Sequence, residues 1–415
     1  MKCKVIGIGA AGNKATISLI ENGIVESKNV LLINSTLKDV PENYRNIALQ
    51  FSNSNGGCGK ERAVAKKLCA QSISDNTLSR LDSIMDPDDQ FCIIVNSSEG
   101  GTGCGSAPLI AKYMKEVIGV NVHMFVFTGF EEDGRGLQNT VEYFQELDEG
   151  YTVEAISNSK FLVGNNKLMA EKKANLEFVE RVKILLGIGM IDSEQNIDET
   201  DLYKVTTTPG FMTIEHVELE ERLKNIDSFN KIITSVIDDS KSLECSDLSA
   251  KRIAVFLNLS DRSKEFVDYS FKVIKERYGV PFEIFTHVQD EGDKEYINFI
   301  ISGMNLPIEE VQRVYKKYQQ MSESVNKSKD TFLEKTKELT GLKTDDMFNM
   351  IATKKEPEKK SNNESIQNNK KSFLKDFETQ WDNQMNSGLT FVQVSNVSQE
   401  DEQKRKKEMF LKKEF

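Results

Sequence analysis

The chain predicts a doubly wound parallel α/β sheet domain, then a smaller mixed α/β domain, a long C-terminal helix and a disordered tail. Three observations carry this. Over residues 1–165 short apolar runs alternate with amphipathic stretches, the pattern of parallel strands joined by crossover helices. Two glycine-rich turns, Gly7-Ile-Gly9-Ala-Ala-Gly12 and Glu99-Gly-Gly-Thr-Gly-Cys-Gly105, each follow an apolar run and open a helical pattern, and ligands of such sheets sit at the carboxyl ends of the strands. After Ala352 the composition turns polar and low in complexity, so the packed part ends before it.

Taken in order, the first strand is expected over residues 4–8 and its helix over 14–22, with the second strand at 30–34. A helix fits 61–70, a strand 91–95, a helix 109–117 and strands 123–127 and 160–163. Residues 172–186 form an apolar-periodic helix. Beyond it, strands are expected at 203–207, 253–259, 282–288 and 296–301, and helices at 214–236 and 263–278. Pro307 opens a long polar helix, striped by Ile308, Val311, Val314, Tyr315 and Tyr318, that runs past Lys327. The domain boundaries that follow are 1–170, 171–202, 203–305, 306–350 and 351–415.

At 415 residues the chain has room for two domains and a tail. No run of eighteen apolar residues suggests a membrane span, and the first residues enter a strand at once, leaving no room for a signal peptide. Six cysteines include no Cys-x-x-Cys pair and the three histidines are isolated, so neither a disulfide framework nor a zinc site is expected and the compartment reads as cytoplasmic. Cys58 and Cys104, both in glycine loops, read as small filler residues rather than nucleophiles. The net charge of −11 is uneven: from Lys354 onward the balance is +2, and the body carries −13. An acidic body does not bind nucleic acid broadly. The last twelve residues, with six basic and two acidic side chains, suit an acidic partner or DNA, or are simply a solvated end.

Four glycines in residues 100–105 and the strand–turn–helix context present backbone N–H groups and a helix start to an anion, with no Cβ in the way. Thr102 and Ser106 add hydroxyls. The turn at 7–12 also fits a dinucleotide fingerprint, which gives the rival reading of an NAD-dependent oxidoreductase. That site wants an acid at the end of the second strand, where this chain has Asn34-Ser35.

Gly100-Gly-Thr-Gly-Cys-Gly105 resembles the glycine-rich signature of the tubulin and FtsZ superfamily of polymerising GTPases, with Glu99 and Cys104 departing from it. The resemblance implies GTP/GDP as the ligand, with Mg2+ as the usual counter-ion of its phosphates and no metal ligand legible. It implies phosphate contacts at Gly9, Ala10, Ala11, Gly12 and Asn13, at Gly57 and Gly59 in a third glycine cluster, and at Gly100, Gly101, Thr102, Gly103, Cys104 and Gly105. Lys60 or Arg62 is a candidate to neutralise the terminal phosphate. A Glu99 carboxylate beside a phosphate would repel it, so Glu99 is expected to point away or to serve another contact. Asp133, in Gly129-Phe-Glu-Glu-Asp-Gly-Arg135, resembles the family's ribose acid. Asn165, in a segment whose family proline is Gly164 here, and Ala174-Asn175 resemble its base-side residues, as does the position of Lys14, while Glu171 stands where an aromatic is common.

Asn196-x-Asp198-x-x-Asp201 matches the family's catalytic loop at every fixed position. Carboxylates there place and polarise a water against the terminal phosphate of the next subunit's nucleotide. The bland alternative is a helix cap built from Asp198 and Asp201. Within the family, the long helix and basic end look most like TubZ, the segregation tubulins of plasmids and phages. The implied partners are further copies of the chain, head to tail, and a DNA-binding adaptor on the tail, with no membrane. An FtsZ-like division protein and a regulator that never polymerises are the alternatives. In the tail, residues 373–381 are spaced for a short amphipathic docking helix or for a fraying helix with no role.

Overall fold

A computed structural model describes residues 1–340 except 55, 148–149, 191–195, 220–224, 246–248, 260–262 and 290–293, with the backbone alone for 263–265 and 325–340. The tail peptide at 373–381 and the basic end at 404–415 lie outside the described residues.

The elements run β1 Cys3–Ile8, α1 Gly9–Glu21, β2 Val30–Asn34, β3 Ala48–Gln50, α2 Arg62–Ser74, β4 Phe91–Ser97, α3 Thr102–Tyr113, β5 Asn121–Thr128, α4 Gly134–Glu146, β6 Thr152–Ser157 and α5 Lys167–Leu185. Then come α6 Glu199–Thr206, β7 Gly210–Glu218, α7 Ile226–Asp238, β8 Arg252–Asn258, α8 Ser263–Tyr278, β9 Glu283–Gln289, β10 Tyr296–Met304 and α9 Ile308–Thr340. The ten strands form one sheet in the order β3-β2-β1-β4-β5-β6-β7-β10-β8-β9. The first half is parallel, whereas β10 runs antiparallel to both β7 and β8 and β8 pairs parallel with β9, so the expected small mixed sheet is the second half of the same sheet. The two halves join through two residue pairs of β6 and β7, Thr152–Gly210 and Val153–Phe211.

Both faces of the sheet are covered, which is why its strands read as continuous apolar runs. Ile6 and Ile8 of β1 belong to the apolar layer on one face, which runs through α2, α3 and α4 to α7 and α8, while Cys3 and Val5 belong to the layer on the other, with α1, α5 and α6. Residues Met1–Ser322 form one compact unit, and 323–340 continue α9 in a second.

Several expected elements fall elsewhere. The strand at 160–163 is a short 3-10 turn followed by coil, and the true strand is β6. Glu154 in its middle masked the apolar run, and this side chain is buried against Arg181. The strand at 203–207 is the end of α6, because Asp198 caps this segment and Leu202 and Val205 turn into the core. The helix at 214–236 is β7 followed by α7. The short edge strand β3 had no periodic signal. Helix α1 begins five residues before the expected start, directly at Gly9.

Candidate functional site

Gly9 opens α1 with no loop after β1, in the left-handed region at φ +75°. A Cβ on Gly9 would lie 2.8 Å from the Gly103 amide nitrogen, and one on Gly103 2.9 Å from the Ile8 carbonyl oxygen. The starts of α1 and α3 therefore meet at the carboxyl edge of β1 and β4, at a distance only glycines allow. Gly12 lies against the Val95 carbonyl, and Gly105 against that of Arg62, which brings the start of α2 to the same place. Gly56, Gly57, Gly59 and Gly100 instead have no heavy atom of the described residues near a Cβ position. The predicted phosphate residues thus sort into two kinds: glycines that let helix starts converge, and glycines that face open space.

None of the three convergent helices has a side-chain cap or an acid in its first turn. By contrast α4, α5, α6 and α7 are each capped by a side chain, from Asp133, Asn166, Asp198 and Asn225. Uncapped first-turn N–H groups need partners, and with the positive ends of three helix dipoles they suit an anion.

Of the side chains, Asn13 is buried and turns under the sheet, its Nδ2 donating to the Ile33 carbonyl at 3.4 Å. The Cys104 thiol donates to the Asn139 carbonyl, and burial pushes it up to about 12, so it is filler rather than nucleophile. Ser106 donates its hydroxyl to the Thr102 carbonyl one turn back, and the Thr102 hydroxyl pairs with that of Ser35 at 2.9 Å. Arg62 is held by Glu146 and Glu142, leaving Lys60 as the cation on the open loop. Its Nζ donates to Asp133 at 2.6 Å while the other Asp133 oxygen accepts the Gly136 N–H at 2.8 Å.

Glu99 does point away. Its carboxylate accepts the Glu131 N–H at 3.0 Å, and a Cβ on Gly129 would collide with it. Burial raises this carboxyl above its ordinary value, with Asp133 adding to the effect. Asn139 carries no motif and was not foreseen. Its Nδ2 lies 3.0 Å from the Lys60 carbonyl and 3.1 Å from those of Glu99 and Gly100, tying two glycine loops together.

Lys14 is exposed on α1 and Asn175 half-buried on α5, two helices packed together on one face of the sheet. Asn165 is exposed, and its carbonyl accepts the Lys167 N–H where α5 begins.

Asn196, Asp198 and Asp201 lie elsewhere. Their loop's residues 191–195 are outside the described residues. The Met1 amine donates to the Leu186 carbonyl at 3.3 Å and sits 3.5 Å from the Glu199 carboxylate, and Asn121 donates to the Tyr203 hydroxyl at 2.6 Å. Met1 and Asn121 mark the amino ends of β1 and β5, so this loop and α6 stand at the opposite edge of the sheet from the glycine loops. Helix α5 links the two edges, starting at Lys167, which pairs with Glu132 beside Asp133. Its 19 residues span about 28 Å at 1.5 Å per residue. Asp198 accepts the Asp201 N–H at 2.7 Å, and Asp201 pairs with Lys204 at 3.0 Å, so the cap geometry is formed as well. Asn196 is exposed.

The end of β2 offers no acid: Asn34 is buried, and its Oδ1 accepts the Ser35 N–H at 2.9 Å. Among the described residues no group of three or more His, Cys, Asp or Glu side chains is placed to hold a metal ion, and no helix is long and apolar enough to cross a membrane.

Residues 2–170 match the model of the Tubulin/FtsZ family, GTPase domain. The chain is 27% identical to the cell division protein FtsZ of Mycoplasmopsis pulmonis over 323 residues, 73% of this chain and 77% of that one. Its fold is similar to that of CetZ1 from Haloferax volcanii, a GDP-bound monomer (TM-score 0.60, 20% identity, 78% of this chain and 100% of that one). It is also similar to TubZ of Bacillus thuringiensis serovar israelensis in a GTPγS-form protofilament (TM-score 0.64, 16% identity, 80% and 94%).

Proposed function

We propose that this chain, whose residues 2–170 are a GTPase domain of the Tubulin/FtsZ family, hydrolyses GTP at contacts between copies stacked head to tail in a filament. The observation that carries this is the separation of the two candidate half-sites, with glycine loops at one edge of the sheet and Asp198 and Asp201 at the other. About 28 Å of helix lies between them. Neither half reaches the other within one copy, but a translated second copy brings its acids to the first copy's nucleotide.

In this reading the first-turn N–H groups at Gly9, Ala10 and Ala11 and those of Gly100–Cys104 hold the inner phosphates. Gly57, Gly59 and Lys60 receive the terminal one. Lys60 leaves Asp133 for the phosphate, freeing one Asp133 oxygen for the ribose hydroxyls. Asn165, Asn175 and Lys14 flank the base. Mg2+ supplies charge neutralisation on the phosphates when bound. Asn196, Asp198 and Asp201 of the next copy place a water in line with the terminal phosphorus and draw its proton. The new P–O bond forms as the bond to the β-phosphate oxygen breaks, giving GDP and inorganic phosphate.

The cargo is DNA of a plasmid or phage, and residues 404–415 recruit a DNA-binding adaptor. The TubZ-like fold, long α9 and basic end support this branch. The sequence likeness to a division FtsZ supports the second reading, a division filament. The test is GTP turnover against protein concentration with light scattering in parallel. A threshold, with scattering and turnover rising together, is expected. Turnover linear in protein without scattering would remove the filament. A chain ending at residue 403 should scatter like the full chain yet fail to co-sediment with an adaptor–DNA complex, and unchanged co-sedimentation would remove the adaptor role of the tail.

A further inference from the structure

The turn between β5 and α4 is tied to four other parts of the molecule. Glu131 sits at φ +56°, in the left-handed region that strains a non-glycine residue. Its conformation is held from both sides. Its N–H is donated to the Glu99 carboxylate at 3.0 Å. Its own carboxylate accepts from both Nη atoms of Arg313, one of them at 2.9 Å, and from Lys317 Nζ at 3.1 Å. Burial alone pushes this carboxyl up, but the two cations outweigh it and hold it below its ordinary value. The next two residues make their own ties, Glu132 to Lys167 and Asp133 to Lys60. Three consecutive acids thus reach α9, α5 and the open glycine loop.

Helix α9 is seated there by apolar contact too. Val314 is buried with Leu137 and Val141 of α4, and Val311, Tyr315, Tyr318 and Met321 pack around them. Since Glu99 opens the glycine loop at 99–105 and Asp133 holds Lys60 of the loop at 56–60, a force on Glu131 is felt by both phosphate loops.

We propose that the first turns of α9 brace the nucleotide loops through Glu131, making Arg313 and Lys317 positioning residues for GTP although they lie 182 and 186 residues away in sequence. This rests on the nucleotide reading above. Without the cations the turn loses the contact that offsets its left-handed residue, and Asp133, two residues on and assigned to the ribose hydroxyls, loses its fixed base. The contact touches no part of the nucleotide, so it acts on affinity rather than on the chemical step.

The test titrates a fluorescent GTP analogue into the full chain and into Glu131→Gln, Arg313→Gln and Arg313→Lys, with thermal midpoints taken alongside. The two Gln variants should bind about 5–20-fold more weakly, with KM raised by the same factor and kcat at saturating GTP unchanged, while Arg313→Lys keeps most of the affinity. Gln variants that bind like the parent chain would overturn the brace. So would a loss in all three variants that merely follows a falling thermal midpoint. A parent chain that binds no guanine nucleotide would overturn the site reading itself and the brace with it.

Discussion

Glu154 and Arg181 meet inside the molecule with both side chains fully buried. Arg181 also donates to Glu177 at 2.7 Å and to the Ser242 hydroxyl at 2.6 Å. Glu215 lies 3.9 Å away, so one guanidinium serves three carboxylates. They do not share it equally. Burial pushes Glu154 up to about 7 in spite of Arg181. For Glu177, burial is outweighed by His216 and Arg181, and its carboxyl is held at about 2. The linkage sign follows. Glu154 keeps its proton in the folded chain at pH values where the unfolded chain, near 4.5, has lost it. Its contribution is therefore full below about 4.5 and is lost as pH rises through about 7. Glu177 works in the opposite sense, below 4.5. Stability from urea unfolding should fall by up to about 3 kcal/mol across the upper window, and Glu154→Gln should flatten most of that slope. An unchanged slope in the variant would place the titration on another group. The same burial explains a misreading: a carboxylate in mid-strand looks like a break, and only the distant Arg181 makes it compatible with a buried strand.

Helix α6 tests whether Asp198 is a cap, a catalyst or both. Its carboxylate accepts the Asp201 N–H, the geometry of an ordinary N-cap. Asn caps as well as Asp, so Asp198→Asn keeps the helix and removes the charge, whereas Asp198→Ala removes both at a cost of about 1 kcal/mol. We expect GTP turnover to collapse in both variants and the thermal midpoint to drop only in the Ala variant. Turnover lost in the Ala variant alone would reduce Asp198 to a cap. Elements of this kind also show what was legible. β2 and α8 match their expected bounds, because each has one dominant periodicity and clear breaks at its ends. The β-branched run Val205 to Thr208 argues for a strand, yet the cap and the burial of Leu202 and Val205 decide for a helix. Gly9, Gly12, Gly103 and Gly105 were legible because close approach of backbone leaves little choice of residue. Asn139 was not, since its acceptors are three carbonyls that only the fold assembles. Nor was Glu131 with Arg313, a contact closed across 182 residues.

At the scale of the whole molecule the sheet has two unlike ends. The carboxyl edge gathers three uncapped helix starts and open glycine loops, and the amino edge presents Asp198 and Asp201. In the proposed assembly these unlike faces meet in a heterologous contact, which builds a filament where its rotation does not close. A catalytic centre divided as proposed predicts complementation between variants, which a site within one chain does not. Asp201→Ala keeps its glycine loops and lacks only the acid. Gly57→Glu keeps both acids and places a carboxylate in the open loop, where no heavy atom of the described residues lies within 4 Å of the new Cβ. Each variant alone should be nearly inactive. Mixed in equal amounts, a contact is competent when an Asp201→Ala copy supplies the nucleotide and a Gly57→Glu copy supplies the acid. Random stacking then gives roughly a quarter of the parent turnover. Acids that serve their own chain's nucleotide leave the mixture as inactive as its parts. Turnover above the sum of the two variants can arise only at contacts between copies.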